Sequence, residues 1–464
     1  MIDWEHLEID RSKSLYKAIA DKMEDGINRG TLVPGERLPA QRQLAEWLGV
    51  DFTTVARAYA EAASRGLIDR QVGRGSFVRA HPQSAPATIH ATIPAADPER
   101  EAATDPSKNM PPEPDDADLL KRMEDGLSYV AANLRPLLRY QSATGSDKDK
   151  RAASTWLGMH GLVPGLERIA ITPGAHAAMT AILAMLTEPG DRILSERVTY
   201  PGIRSIARRL RLDLRGLEMD ASGILPDALD DAIRAHRPRA LYLNPTIQNP
   251  TTLTIPVERR LEIADVVRRH GLALIEDDAY GFIPPKPPAP LAVSAPELSY
   301  YIGGLAKCIG AGLRLAYVVA PGGKTAYQLG QVVHDLNVMP SPLPLALATR
   351  WIEDGTADSI RRAIRKETAV RQAMAREILD GFDYATTDHA FSLWMQLPAG
   401  TNRAEVIGRM AGQRLGVVAS DAFTVTGTPA EHVRVCLGGP LDHAELRKGL
   451  HALSNAAQSQ SYMG

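Results

Sequence analysis

The sequence predicts an α/β protein: an N-terminal winged helix-turn-helix unit, then a mostly parallel central sheet with a smaller C-terminal α/β subdomain. Three observations carry this. From about residue 109 onward, apolar strand-like runs alternate with amphipathic helical stretches, the pattern of a parallel sheet covered by helices. The first 79 residues hold three helical periodicities and a glycine-tipped hairpin. Between them, residues 80–108 are rich in Ala, Pro, Thr and Asp, lack aromatics and show no sustained period, which suits a semi-extended linker. The expected divisions are 1–79, 80–108 and 109–464, with the subdomain over about 320–464.

A chain of 464 residues can hold two or three cores. Its net charge of −2 gives no global signature for nucleic acid, so any DNA contact must come from a local patch. Cys308 and Cys436 lie far apart without metal-type spacing and fit a reducing compartment. The polar, acidic start Met-Ile-Asp-Trp-Glu-His is unlike a signal peptide. No run approaches the roughly 18–20 apolar residues of a membrane span. The expectation is a cytoplasmic protein that does not use a membrane.

Within the first unit, Leu15, Ile19, Met23 and Ile27 recur every four residues from Ser12 to the stop at Gly30. Pro39 opens a second helix that runs to about Leu48, and Gly49 breaks it. Asp51 is an N-cap for a third helix, Phe52 to Arg65, with Val55, Tyr59 and Ala62 on one face. Residues 67–78 read as a hairpin. A small helical dimerisation module would show the same periodicities. Charge favours the winged helix-turn-helix, because Arg57, Arg65, Arg70, Arg74 and Arg79 gather on the third helix and wing, opposed there only by Glu61 and Asp69.

Three segments, Leu38-Pro39-Ala40-Gln41-Arg42-Gln43-Leu44-Ala45, Thr53-Thr54-Val55-Ala56-Arg57-Ala58-Tyr59 and Gly73-Arg74-Gly75-Ser76-Phe77-Val78, resemble the GntR-type DNA-binding domain. The resemblance implies that Arg42, Thr53, Thr54 and the wing glycines Gly73 and Gly75 contact double-stranded operator DNA; Arg57 and Arg74 are placed to neutralise its phosphates, with a solvated helix-face charge as the alternative for Arg57. Phe52 stands where many members carry an arginine. Base readout is therefore expected to shift to Arg42, Arg57 or an apolar contact with thymine methyls.

In the large unit, strands are expected at 168–172, 191–195, 240–244, 272–276, 300–302 and 315–319. In such sheets ligands bind outside the carboxyl ends of the strands. Gly174, Ala175 and His176 lie between a strand and a helix N-terminus, where exposed N–H groups suit a phosphate. Asn249 sits in a turn after a strand, as a donor to an oxyanion or as plain turn chemistry. Glu276-Asp277-Asp278 puts acids at a buried strand end, where a carboxylate needs a cation or donor. Tyr200 offers a face for stacking. Lys307 follows an apolar run seven positions before Arg314; it is either a loop lysine or a desolvated amine able to form a Schiff base.

Together these parts suit pyridoxal 5′-phosphate. Over roughly residues 109–455 the chain resembles the fold-type I aminotransferases. The resemblance makes Lys307 the Schiff-base lysine and Asp277 the pyridinium partner. It makes Asn249 and Tyr280 the donors to the ring oxygen, Tyr200 the stacking aromatic, and Gly174 to His176 the phosphate turn. Arg314 becomes a phosphate-binding arginine, Tyr140 a tyrosine reaching a phosphate across the dimer, and Arg434 the clamp for an α-carboxylate. Ala311-Gly312 stands for the family's Pro-Gly, and Gly304 and Ala306 fill positions where the family usually carries hydroxyl residues, which implies weaker cofactor binding unless Arg314 and the helix N-terminus compensate. As a whole the chain resembles the MocR-type transcriptional regulators. That implies a head-to-tail homodimer with the DNA-binding domain of one chain near the other's cofactor domain, controlled by an amino compound or by the cofactor. Two competing readings remain: a working aminotransferase with an accessory domain, and a regulator whose aminotransferase fold has lost its cofactor.

Overall fold

The computed structural model describes residue 4 and residues 14–33, 35–71, 75–79 and 104–458. Two compact units divide at Ala103/Thr104. Residues 104–108, read from the sequence as the end of the linker, belong to the large unit. Residues 80–103 of that linker, and Gly73 and Arg74 of the wing, lie outside the described residues.

In the small unit, α1 (Leu15–Asn28), α2 (Gln41–Leu48) and α3 (Phe52–Ser64) are followed by antiparallel strands β1 (Ile68–Gln71) and β2 (Gly75–Val78). The periodic residues meet in one core: Ile19, Met23, Leu44, Val55, Tyr59, Ala62 and Val78 are buried. The turn between α2 and α3 is set by sequence. Gly49 adopts φ 61°, a left-handed conformation suited to glycine, and Asp51 caps α3 by accepting from Thr53 N at 2.7 Å. The Tyr59 hydroxyl donates to Pro39 O at 2.7 Å and ties α3 to the start of α2.

The large unit is built on a seven-stranded sheet. Its strands are β3 (Ile169–Thr172), β4 (Arg192–Glu196), β5 (Asp213–Leu217), β8 (Ala240–Leu243), β9 (Ala273–Asp277), β10 (Ser299–Gly304) and β11 (Ala316–Val319). Their order across the sheet is β3-β11-β10-β9-β8-β4-β5. A small hairpin, β6 (Met219–Asp220) and β7 (Gly223–Ile224), lies outside it. β11 alone runs opposite to the other six strands of this sheet. β3, β8, β10 and β11 are buried along their length, which explains their continuous apolar runs. β5, an edge strand with Asp213 and Arg215 in an ion pair, carries no such run and escapes sequence reading.

A second, four-stranded antiparallel sheet has the order β12 (Tyr384–Ala385), β13 (Ser392–Gln396), β15 (His432–Cys436), β14 (Val417–Ala419). It forms the C-terminal subdomain with helices Thr356–Ile378 and His443–Gln458 around a core that includes Leu393, Met395, Val433 and Leu450.

Helix Ala117–Ala132 packs on helix Pro342–Glu353 with Gly126 at the contact, where a Cβ would lie 2.3 Å from Trp351 Nε1. Gly126→Ala is expected to destabilise the large unit by about 1–3 kcal/mol through overpacking. The midpoint of denaturant unfolding, followed by tryptophan fluorescence, measures it.

Candidate functional site

The site forms where β4, β8, β9 and β10 end. Strand alternation sends Asp277 to the face of Ile275 and Tyr242, and Glu276 to the opposite face. The Tyr242 hydroxyl donates to Asp277 Oδ2 at 2.9 Å. Asp277 Oδ1 is buried and has no hydrogen-bond partner among the described residues. Burial pushes the Asp277 carboxyl up to about 6, against the Tyr242 hydrogen bond. A buried, open carboxylate oxygen fits a protonated ring nitrogen.

A network missed by sequence reading fixes this end of the sheet. Asn244 Nδ2 donates to Asp277 O at 2.6 Å, and its Oδ1 accepts from Asn249 N at 2.8 Å. Its own N–H donates to Glu196 Oε1 at 2.6 Å, while Thr199 Oγ1 donates to Glu196 Oε2 at 2.7 Å. Burial pushes Glu196 up to about 7. Asn244 thus ties together three strand ends and the Asn249 turn. The signal available to sequence is only the polar residue closing each apolar run.

Lys307 lies in the turn after β10, with its amine 5.9 Å from the Tyr280 ring centroid. Burial, then the nearby Arg434 charge, pushes the amine down to about 8. Tyr200 lies over Gly202, where a Cβ would meet its ring at 2.1 Å. Burial and the Asp277 charge raise the Tyr200 phenol. Gly174, at φ 93°, starts helix Ala175–Leu186, and the Arg314 guanidinium lies 3.3 Å from where its Cβ would stand. His176, in the first turn, is lowered by burial and by Arg314. These groups make an anion cradle of helix N–H groups and one arginine.

Arg434, on β15, is buried at 4% exposure. Its Nη1 donates to Asn249 Oδ1 at 2.8 Å, its Nη2 to Ser107 O, and its Nε is unpartnered. No carboxylate pairs with it among the described residues. A buried guanidinium without a counter-charge fits an anionic ligand. The structure therefore gathers Lys307, Asp277, Tyr280, Asn249, Tyr200 and Arg434 around one end of the sheet, with Gly174, Ala175, His176 and Arg314 at the cradle. Tyr140 is 86% exposed and is not brought to this site.

On the small unit, Arg42, Thr53 and Arg57 are exposed and Thr54 is half-buried. The Arg42 guanidinium lies 5.9 Å from the Phe52 ring centroid, and Arg57 stacks on Tyr16 at 4.6 Å. Gly75 adopts φ 117°, with the exposed Arg37 against it, 3.0 Å from a Cβ position. Arg37 escapes sequence reading, because only the fold brings it to the wing. Two arginines of the expected basic patch are engaged otherwise. Arg65 pairs with Asp21, Glu24 and Glu61, acids of which α1 supplies the first two, and Arg79 pairs with Asp69.

Residues 107–453 match the family described as aminotransferase class I and II, and residues 15–78 match the bacterial regulatory proteins of the gntR family. The chain is 30% identical over 442 residues to the "Uncharacterized HTH-type transcriptional regulator YdeF" of Bacillus subtilis, covering 95% of this chain and 94% of that one. It is 26% identical to the "Probable rhizopine catabolism regulatory protein MocR" of Rhizobium meliloti, covering 97% and 95%. The chain belongs to the MocR-type transcriptional regulators. Their large domain has the aminotransferase fold. The structure of LysN, an α-aminoadipate aminotransferase from Thermus thermophilus complexed with N-(5′-phosphopyridoxyl)-L-leucine, superposes with a TM-score of 0.67 at 21% identity, over 78% of this chain and 96% of that one. The cofactor of this fold family is pyridoxal 5′-phosphate. In this MocR-type chain the open Asp277 oxygen and the glycine-arginine cradle fit it.

With its amine near 8, about one Lys307 in ten is neutral at pH 7, against roughly one in three thousand for an ordinary lysine. Capture of added pyridoxal 5′-phosphate, followed by its visible absorbance, is expected to rise with pH to a plateau with a midpoint near 8, and to vanish in Lys307→Ala.

A Cβ on Gly304 would meet only Ala175 Cβ, at 3.6 Å, so a serine fits there. Gly304→Ser is expected to tighten pyridoxal 5′-phosphate about tenfold, the worth of one added hydrogen bond to a charged group. Equilibrium dialysis measures it.

Proposed function

We propose that the large unit holds pyridoxal 5′-phosphate and receives a small amino compound bearing an anionic group, and that this changes the affinity of the small unit for double-stranded operator DNA. The observation that carries the reading is the buried Arg434, without a carboxylate partner among the described residues, in the same site as Lys307 and the open oxygen of Asp277.

Bound at this site, the cofactor supplies a carbonyl that condenses reversibly with amines. The chain's own residues do the rest. Lys307 presents a largely desolvated amine. Asp277, oriented by Tyr242 and Asn244, accepts from the ring nitrogen. Asn249 gives its oxygen to Arg434, which leaves its Nδ2 as the donor towards the ring oxygen. The Tyr280 hydroxyl, accepting from Asn109 Nδ2 at 2.9 Å, keeps its own proton for the same purpose. Gly174 to His176 and Arg314 hold the phosphate, and Arg434 holds the anionic end of the effector, a carboxylate or sulfonate. On the small unit, Arg42, Thr53, Thr54 and Arg57 face DNA together with Arg37 and Gly75.

A homodimer is part of the reading. Leu134, Leu138 and Tyr140 are exposed at 44%, 69% and 86% beside one another in sequence, an apolar edge that supports burial against a second copy. The Tyr140 side chain would then serve the partner's phosphate. The absence of a helix long and apolar enough to cross a membrane among the described residues is compatible with the expected cytoplasmic location.

Lys307, Asp277 and Arg434 together also keep a second reading in view, a turning-over aminotransferase. The visible spectrum of the loaded protein, with and without candidate amino acids, is to be measured beside binding to DNA from its own upstream region. One amino acid is expected to change both signals together. Sustained production of keto acid with a second keto acid present, with DNA affinity unchanged, would favour the enzyme. Arg42→Ala is expected to weaken DNA binding and to reduce the slope of log K against log salt by about 1.

A further inference from the structure

The groups that would receive the effector already have ligands from the chain itself. Asp105 caps a short 3-10 turn, Pro106–Lys108, by accepting from Ser107 N at 2.9 Å, and Asn109 closes it at φ 47°. The turn aims successive backbone carbonyls into the site. Ser107 O accepts from Arg434 Nη2, and Lys108 O and Asn109 O accept from Lys307 Nζ at 3.0 and 2.6 Å. Asn109, 2% exposed, donates to the Tyr280 hydroxyl, and its Oδ1 is unpartnered.

This strap has a close-fitting seat on the C-terminal subdomain. A Cβ on Gly416 would lie 2.0 Å from Pro106 O, and one on Gly438 would lie 1.7 Å from Met110 O. Gly439 N donates to Pro111 O at 3.1 Å. Backbone lies against backbone, and no side chain larger than hydrogen fits at either glycine.

The strap and an anionic ligand compete for the N–H groups of one guanidinium. A carboxylate binds arginine bidentately through one of two forks, Nε with Nη2 or Nη1 with Nη2. Each fork takes one of the two N–H groups of Nη2; Ser107 O holds one of them and so closes one fork, while Asn249 Oδ1 holds one N–H of Nη1. We propose that residues 105–110 are an internal competitor for the effector's anionic group, so that an effector binds Arg434 by unseating the strap. Thr104 opens the large unit, and the chain runs from the small unit to it through residues 80–103. Unseating therefore alters the attachment point of the DNA-binding unit. This rests on the sensing function proposed above and names its coupling step. A ligand that favours the unseated state by its own binding energy shifts the population that way.

The test uses the full chain loaded with pyridoxal 5′-phosphate. Hydrogen–deuterium exchange over residues 104–112 is measured with glycine, L-glutamate, 4-aminobutanoate and taurine, and with methylamine as an amine lacking an anion. The amino acid that alters the visible band is expected to raise exchange in this segment at least about tenfold, the loss of one hydrogen bond to a charged group. Methylamine is expected to leave it unchanged. Gly438→Ala removes the seat. Asn109→Gly keeps the left-handed turn and removes only the bond to Tyr280, and it serves if the first variant does not fold. Each is expected to raise exchange without any ligand and to move DNA affinity in the direction the effector moves it. An amino acid that changes the band while exchange at 104–112 stays as it was would overturn the strap, as would variants that free the segment and leave DNA affinity untouched. If no amine changes the band, the sensing function falls, and the two variants still decide whether the strap governs DNA binding.

Discussion

Among the described residues, four carboxyl groups are buried at the carboxyl end of the central sheet, and the site depends on how each is supplied with donors. A dehydrated carboxylate is costly without them. Glu276 accepts from Leu291 N and Ala292 N at 2.9 and 2.8 Å and lies 3.7 Å from Arg260. Asp278 receives His160 at 2.6 Å and the Tyr301 hydroxyl at 3.0 Å; burial pushes it up, but these partners hold it below the usual range. Glu196 accepts from Thr199 and Asn244. Asp277 receives only Tyr242 and carries an open oxygen on the face of the site. Asp278 also has an open oxygen, but its other oxygen is engaged by both His160 and the Tyr301 hydroxyl. The uneven supply sets Asp277 apart from Glu276, Asp278 and Glu196.

The other half of the site gathers groups that suit an anion rather than a proton. Arg314 leans on Gly174, the one residue there whose φ of 93° and lack of a side chain admit it. Gly304 leaves open space next to Ala175 where a hydroxyl would otherwise serve the same anion. The cradle is thus complete in shape and short of donors. That combination suits a cofactor that can be exchanged, and it sits more easily with a sensor than with an enzyme that must retain its cofactor through many turnovers.

Much of this is legible in the sequence because it is local. The periods of α1 and α3, the Asp51 cap, the apolar runs of β3, β8, β9 and β10 and the acids closing β9 each lie within a short window. The family motifs add positions that spacing alone leaves ambiguous, Lys307 among them. What escapes depends on distant pairing. Arg65 reads as a free cation on α3 until α1 brings Asp21 and Glu24 to it. Tyr242 looks like one more apolar residue of β8 until the register with β9 sets it beside Asp277. Residues 105–109 carry neither helical nor strand periodicity, and their partners Lys307 and Arg434 are 198 to 327 positions away.

That distance explains why a segment of linker-like composition can matter energetically. A backbone carbonyl on a buried guanidinium contributes about 1.5–3 kcal/mol, as hydrogen bonds to charged groups do. A carboxylate making two such bonds exceeds that, whereas a neutral amine gains nothing at Arg434. The strap therefore sets a threshold that only ligands with an anionic end cross, and it ties chemical selectivity to the same bond whose loss frees the chain leading to DNA. The carbonyl groups on Lys307 act alongside. Once the amine condenses with a carbonyl compound it keeps at most one proton and can no longer hold both Lys108 O and Asn109 O, so Arg434 becomes the main polar anchor that remains for the strap, together with the Asn109 bond to Tyr280. Cofactor loading thus lowers the threshold, and the anionic effector crosses it.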